Sequence, residues 1–375
     1  MINVIDTIAY LVARLRWKLY RVFLRLTLGP VGGYGPHRNM VYSISSSIDD
    51  DVRAHVLEDV ELEPAHIESL GLGGGLPVAY PAKQLVPARH LYRLKDVVIS
   101  TSSGAVWVPK KFAFLESLGT ILYFYSWGGF VDVMQPPRRM MCEGPVVASS
   151  NVNYFHCVLD STAQLLLARE KVPNLRVAVA KNAHRYVRES LAFFGFETAR
   201  QIPCGRPIRV DETILVSRNP ELGLIPRENL RVLRQELARR LRPRASCSRR
   251  IYVSRRLEKN RAIENEEAVE HLVRKFGFEV CYFEKMPFAE QMQTAAEASV
   301  LMGVHGAGLT NMIAGSPGLK VFEILNPDWY VLCFVNLARQ LGFEYHHAVL
   351  TRTPRGGLAV DLAALEKSLA SLDRT

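Results

Sequence analysis

In the second half of the chain, short apolar runs alternate with longer amphipathic stretches, and this alternation predicts the fold class. "GPVVASS" (144–150) reads as a buried strand, "NYFHCVLDSTAQLLLARE" (153–170) as a helix, "RVAVA" (176–180) as a strand and "AHRYVRESLAFFG" (183–195) as a helix closing on Gly195. The pattern pauses at "RPRASCSRR" (242–250), and a second series follows. Its strands are "RIYVSR", "FEVCYF", "SVLMGV", "KVFEI" and "FEYHHAVL". Its helices are "NEEAVEHLVRKFG", "PFAEQMQTAAEA", a short one from about Leu309, "YVLCFVNLARQLG" and the tail "LAALEKSLASL". Strands that alternate with helices predict parallel sheets built from βαβ units. Residues 30–145, with runs such as "DVVIS", "AVWVP" and "TILYFYSW", read as a loop-rich, partly β region. The economical architecture is α/β, with two Rossmann-like domains facing a central cleft. The expected spans are 29–241 and 250–375.

Residues 1–28 have a different rhythm. Ile5, Ile8, Val12, Leu15, Leu19, Val22 and Leu26 step by three and four, which makes one helical stripe. Arg14, Lys18, Arg21 and Arg25 step the same way along another face. The basic residues leave no apolar run long enough to span a bilayer, and no small-residue cleavage site follows. A basic amphipathic helix fits docking on an anionic membrane surface. Packing on the protein's own core, or on a second copy in a homo-oligomer, fits the same pattern.

Length and composition narrow the picture only slightly. The 375 residues suit two ordinary domains, and 48% hydrophobic with 22% charged is globular composition. The net charge of +10 is concentrated in two places. Residues 227–261 hold thirteen Lys/Arg against three Glu, and residues 1–28 hold five against one Asp. No RNA-binding aromatic motif or helix-turn-helix accompanies them, so nucleic acid is not the expected partner. Cys142, Cys157, Cys204, Cys247, Cys281 and Cys333 are scattered. That spacing argues against a zinc site and suits a reducing cytosol.

"GVHGAGLTN" (303–311) follows the strand "SVLMGV". In an open parallel sheet, ligands sit beyond the carboxyl ends of the strands, which is where His305 falls. Gly306 and Gly308, with Ala307 between them, let backbone approach a ligand or adopt positive φ. The N–H groups of the following helix favour an anion. The pattern is neither a Walker loop nor a dinucleotide fingerprint. A tight turn whose histidine caps a carbonyl fits the loop equally well.

Glu323, in "KVFEI", would put a carboxylate at the same rim, where it could accept the hydroxyls of a ribose. A surface glutamate is the plainer alternative, although its neighbours are apolar. Arg255 and Arg256 end "RIYVS" at that rim and Arg261 follows, and arginine forks suit phosphate oxygens. An anion site with a ribose acceptor points to a nucleoside diphosphate. Arg231, Arg234 and Arg239 read instead as the solvated face of a helix. At the other sheet, His156 and Asp160 lie four apart near a helix start that Asn153 can cap. They suit a general base with its orienting partner, in either assignment. A structural histidine is the competing reading.

"NYFHCVLD", "RIYVSRR", "RAIENEE", "PFAEQ" and "GVHGAGLTNMIAGSPGLKVFEI" stand in an order that resembles glycosyltransferase family 61. The resemblance covers roughly residues 140–330. It implies a GT-B fold and inverting transfer from a nucleotide sugar. It puts His156, Asp160, Arg255, Arg261, His305, Gly306, Asn311 and Glu323 on motif positions. The expected enzyme is a bacterial capsular-polysaccharide-type glycosyltransferase. It would take a sugar, with UDP as carrier, to a glycan or glycolipid acceptor without a metal or other cofactor. It would work in the cytoplasm, peripheral on the inner face of the membrane. A catalytically silent nucleotide-sugar-binding or scaffold subunit, or a sugar epimerase, are the rival expectations.

Overall fold

The computed structural model describes residues 41–42, 56–62, 65–68, 83–86, 89–102, 104–108, 113–115, 136–217, 223–242, 247–258, 262–327 and 331–372. The expected amphipathic helix 1–28, the run "TILYFYSW" and Arg261 lie outside the described residues.

Three sheets organise the chain. The first is mixed and seven-stranded, centred on Arg89–Ile99, which pairs antiparallel with Ile208–Val216, Val56–Leu62 and Val106–Val108. The sequence pattern gave no strand at Ile208–Val216, although its alternation of Ile208, Val210 and polar Asp211 suits a half-buried one. The second sheet is parallel and short: Val146–Ser149, Arg176–Ala180 and Gln201–Cys204. Its Val146, Ala148 and Ala178 pack on Tyr92, Leu94, Val97 and Leu215 of the mixed sheet. The N-terminal half therefore carries a mixed sheet stacked on three parallel strands, a smaller parallel unit than a full Rossmann domain.

The third sheet is wholly parallel, in the order Phe278–Cys281, Arg249–Val253, Ala298–Val304, Lys320–Leu325, Glu344–Val349. Counted along the chain this is 2-1-3-4-5, a doubly wound sheet whose order reverses between Arg249–Val253 and Ala298–Val304. One face packs Tyr252, Met302, Phe322 and Ile324 on the helices Glu266–Lys275 and Leu362–Leu372. The other face, with Ile251, Leu301 and Val321, shares a single core with Val147, Val177 and the helices of the second sheet. The two parallel sheets are therefore joined by continuous apolar packing. Burying that much apolar surface is the main stabilising term for the arrangement.

Most of the expected elements appear close to their predicted bounds. The helix read at 153–170 is interrupted: Cys157–Thr162 is a π-helical turn between Tyr154–His156 and Ala163–Lys171. The short helix expected from Leu309 is a 3-10 segment, Ala307–Ala314. Arg234 is not merely solvated. Its Nη1 donates to the carbonyls of Ile313 (3.1 Å) and Gly315, clamping the end of that segment. Arg231 does sit at the surface, paired with Glu170 at 2.7 Å.

Candidate functional site

The order reversal in the five-stranded sheet is where a doubly wound fold leaves a crevice. Two loops meet there, Ser254–Arg255 after one strand and His305–Gly306 after the next. Gly306 has φ 177°, ordinary extended backbone, so positive φ does not explain the glycine. Space does. A Cβ at position 306 would collide with the guanidinium of Arg255, whose Cζ would lie 3.1 Å away. Gly308 has a packing reason, since its Cβ would sit 2.8 Å from Val253 Cγ1. The glycines thus let Arg255 lie across the loop and let the 3-10 segment press on the strand. The first N–H groups of that segment have no intrahelical acceptor, and Ala307 and Gly308 are half-buried.

The Ser254–Arg255 loop is held from behind by two glutamates of the next helix, Glu266 at Arg255 and Glu270 at Ser254. Glu266 Oε1 accepts from Arg255 N (3.1 Å) and from Tyr252 Oη (2.8 Å). Glu270 Oε1 accepts from Ser254 Oγ (2.8 Å) and Tyr282 Oη (2.9 Å). Glu266 lies in "RAIENEE" and Glu270 just beyond it, but neither was singled out by the sequence reading.

His305 is 3% exposed, and its Nδ1 bonds Glu323 Oε1. The other carboxylate oxygen of Glu323 accepts from Tyr345 Oη at 2.6 Å. Glu323 is 1% exposed, and strand alternation sets it on the face of Val321, towards the shared core. The expectation of an open-rim ribose acceptor does not match this placement: both oxygens are turned inward to His305 and Tyr345. Burial, followed by the Glu323 carboxylate, holds the Tyr345 phenol well above its ordinary range.

Across the crevice, Asn153 Oδ1 accepts from His156 N at 3.1 Å, the cap foreseen from the sequence. His156 Nδ1 and Asp160 Oδ2 are 2.6 Å apart, with side chains 19% and 24% exposed. A carboxylate only accepts, so Nδ1 carries the hydrogen and Nε2 is left as the acceptor. Asp160 lies within the π-helical turn, a feature that recurs at functional sites. The turn is fixed by Asn229 Nδ2, which donates to Leu159 O at 2.7 Å. Asn229 Oδ1 in turn accepts from Arg89 Nη2 at 3.0 Å. Burial pulls the Arg89 guanidinium down to about 10, while Glu228 and then Asp160 counter the shift. Asp160 therefore has an arginine charge behind it and a histidine in front.

The two histidine–carboxylate pairs are linked through two phenylalanine rings. The Phe334 ring is edge-on to His305 (5.2 Å) and to Phe155 (5.7 Å), and Phe155 is edge-on to His156 (5.2 Å). Asn311, expected among the ligand contacts, is fully buried. Its Oδ1 accepts from Tyr154 Oη at 2.6 Å and its Nδ2 donates to Gln291 Oε1 at 3.2 Å. Tyr154, Gln291, Tyr345, Arg89 and Phe334 were missed from sequence. Tyr154 and Gln291 stood inside the quoted segments "NYFHCVLD" and "PFAEQ", but their side chains signal no chemistry by themselves.

Residues 154–322 match the family model described as Glycosyltransferase 61, a span that contains both histidine pairs apart from Glu323. An 86-residue segment is 33% identical to a Beta-1,2-xylosyltransferase of Arabidopsis thaliana, covering 22% of this chain and 16% of that protein. A 64-residue segment is 38% identical to Beta-1,2-xylosyltransferase RCN11 of Oryza sativa subsp. japonica, covering 17% of this chain and 12% of the relative. A 74-residue segment is 31% identical to an EGF domain-specific O-linked N-acetylglucosamine transferase of Drosophila melanogaster, covering 19% and 14%. The matches thus span less than a sixth of each relative's length.

Proposed function

We propose that the protein is a glycosyltransferase that moves a sugar from a nucleotide donor, with UDP as the carrier, to a hydroxyl of a glycan or glycolipid acceptor with inversion at the anomeric carbon. The observation that carries this reading is the pair of histidine–carboxylate couples, His156–Asp160 and His305–Glu323, linked through the rings of Phe155 and Phe334 beside Arg255 at the order reversal of a doubly wound sheet. The match of residues 154–322 to Glycosyltransferase 61 supports the same class. Exposure separates the two histidines: His156 is open enough for an acceptor to reach, whereas His305 is buried beside the Arg255 loop. His156 Nε2 takes the acceptor proton while Asp160 holds the ring and stabilises its charged form. The acceptor oxygen attacks the anomeric carbon as the bond to the diphosphate oxygen breaks. Arg255 and the N–H groups of Ala307 and Gly308 take the charge that develops on the leaving diphosphate. We include Arg261 in the same role. The GT-B arrangement, with the donor on 250–375 and the acceptor on 29–241, belongs to this reading.

The experiment is turnover. Nucleotide sugars are screened by thermal shift, and release of the nucleoside diphosphate is then followed with a panel of saccharide acceptors. Acceptor-dependent release is expected, with activity intact after chelator treatment. Donor binding with no release for any acceptor would favour a non-catalytic nucleotide-sugar-binding subunit. Chelator-abolished release would reveal a metal requirement.

The basic stripe of residues 1–28 supports a peripheral site on the inner face of a cytoplasmic membrane, a place that fits the bacterial capsular-polysaccharide acceptor implied by the sequence resemblance. Deleting 1–28 should abolish salt-sensitive co-sedimentation with anionic liposomes. Unchanged co-sedimentation would remove the membrane part of the proposal.

A further inference from the structure

Three sequence segments are tied by one chain of buried and half-buried hydrogen bonds. Tyr154 Oη, from "NYFHCVLD", donates to Asn311 Oδ1 at 2.6 Å in the loop "GVHGAGLTN". Asn311 Nδ2 donates to Gln291 Oε1 at 3.2 Å in "PFAEQ". Gln291 Nε2 is spent on the carbonyls of Phe283 (2.8 Å) and Met286 (3.0 Å), so its orientation is fixed by backbone. That in turn fixes which atom of Asn311 faces Tyr154. The chain therefore has one satisfied direction, from the phenol through to the main chain at 283–286.

Its position gives it a purpose that packing alone would not need. Tyr154 lies two residues before His156 in the same first helical turn, and Asn153 caps that turn at His156 N. The opposite end of the bond is in the segment that begins one residue after Gly306, under Arg255. The Tyr154 ring is edge-on to Tyr186 (5.4 Å) and tilted on Phe288 (6.1 Å), so apolar contacts hold the ring while the hydroxyl sets its reach. Among the described residues, this bond joins the helix start bearing His156 directly to the loop bearing His305.

We propose that Tyr154 is a positioning residue: through Asn311 and Gln291 it fixes the distance between the His156 imidazole and the His305–Gly308 loop, so that the base meets an acceptor lined up on the donor. This rests on His156 being the base. A bond that served only the fold would contribute to stability and leave the chemical step alone. A bond that sets this distance should matter to kcat, because small misplacement of a reacting group is costly in rate.

The test is a double-mutant cycle on the full chain. Tyr154→Phe keeps the ring and removes the hydroxyl. It is expected to lower kcat about ten- to a hundredfold while the Kd for UDP changes less than about threefold. Asn311→Ala removes the same bond from the other side and should lower kcat to a similar level, alone or combined with Tyr154→Phe. In a His156→Ala background, Tyr154→Phe should have no further effect, because there is no base left to position. An unchanged kcat in folded Tyr154→Phe, or an equal loss in both backgrounds, would overturn the role of Tyr154 and leave His156 standing. Full turnover in His156→Ala would overturn the base assignment, and the positioning role with it.

Discussion

The guanidinium of Arg255 occupies the space that any side chain at position 306 would need. The glycine therefore makes room for Arg255 and does not serve the turn alone, which ties it to the proposed diphosphate site. Gly306→Ala should push the flexible end of Arg255 aside without unfolding the protein, and both Gly306→Ala and Arg255→Ala should weaken UDP by about 1.5–3 kcal/mol, the range for hydrogen bonds to charged groups. Titration calorimetry checks this. Wild-type UDP affinity in both variants would move the diphosphate elsewhere.

Glu323 makes two inward bonds, to His305 and to Tyr345, at 1% exposure. Glu323→Ala would remove the carboxylate that His305 and Tyr345 both bond in the core, at about 1–3 kcal/mol for each buried bond lost. Tyr345→Phe removes one donor and should cost less. Urea unfolding at neutral pH should rank the three proteins wild type, Tyr345→Phe, Glu323→Ala. If Glu323→Ala unfolds at the wild-type midpoint, the buried pairing contributes nothing to the fold.

Cys157, next to His156, is buried, and burial pushes its thiol up to about 12 from an ordinary 9. In the unfolded chain the thiol ionises near 9, whereas in the folded chain it stays neutral until about 12. Its contribution is therefore complete below pH 9 and is lost as pH rises through that window. A rise from 9 to about 12 corresponds to on the order of 4 kcal/mol. Cys157→Ala should flatten the alkaline limb of a stability–pH curve measured by denaturant unfolding between pH 8 and about 11. Parallel limbs for the two proteins would show that the thiol does not ionise differently on unfolding.

The doubly wound sheet was legible because each strand of the second half is a short apolar run and each helix has a clear period. The strand Ile208–Val216 was not, since polar Arg209, Asp211 and Glu212 break the apolar run. His156 with Asp160 could be read from spacing, because four residues on a helix is a contact distance. His305 with Glu323 could not: they are eighteen residues apart in sequence and meet only through the parallel register, which pairs Gly303 with Glu323. The same register explains why Glu323 faces the core. Tyr154 and Gln291 escaped notice because a phenol and a carboxamide carry no signal until their partners are in place. Gly306 was read as backbone freedom, and only the position of Arg255 gives its reason.

Turnover of folded His156→Ala is the decisive measurement for the proposal that His156 removes the acceptor proton with Asp160 as its orienting partner. Acceptor-dependent release of the nucleoside diphosphate should fall by about 10²–10⁴-fold, the usual worth of a general base, while UDP affinity stays at the wild-type value. Asp160→Asn should lose a comparable amount. Near-normal turnover in soluble, folded His156→Ala would rule His156 out as the base and pass that role to His305.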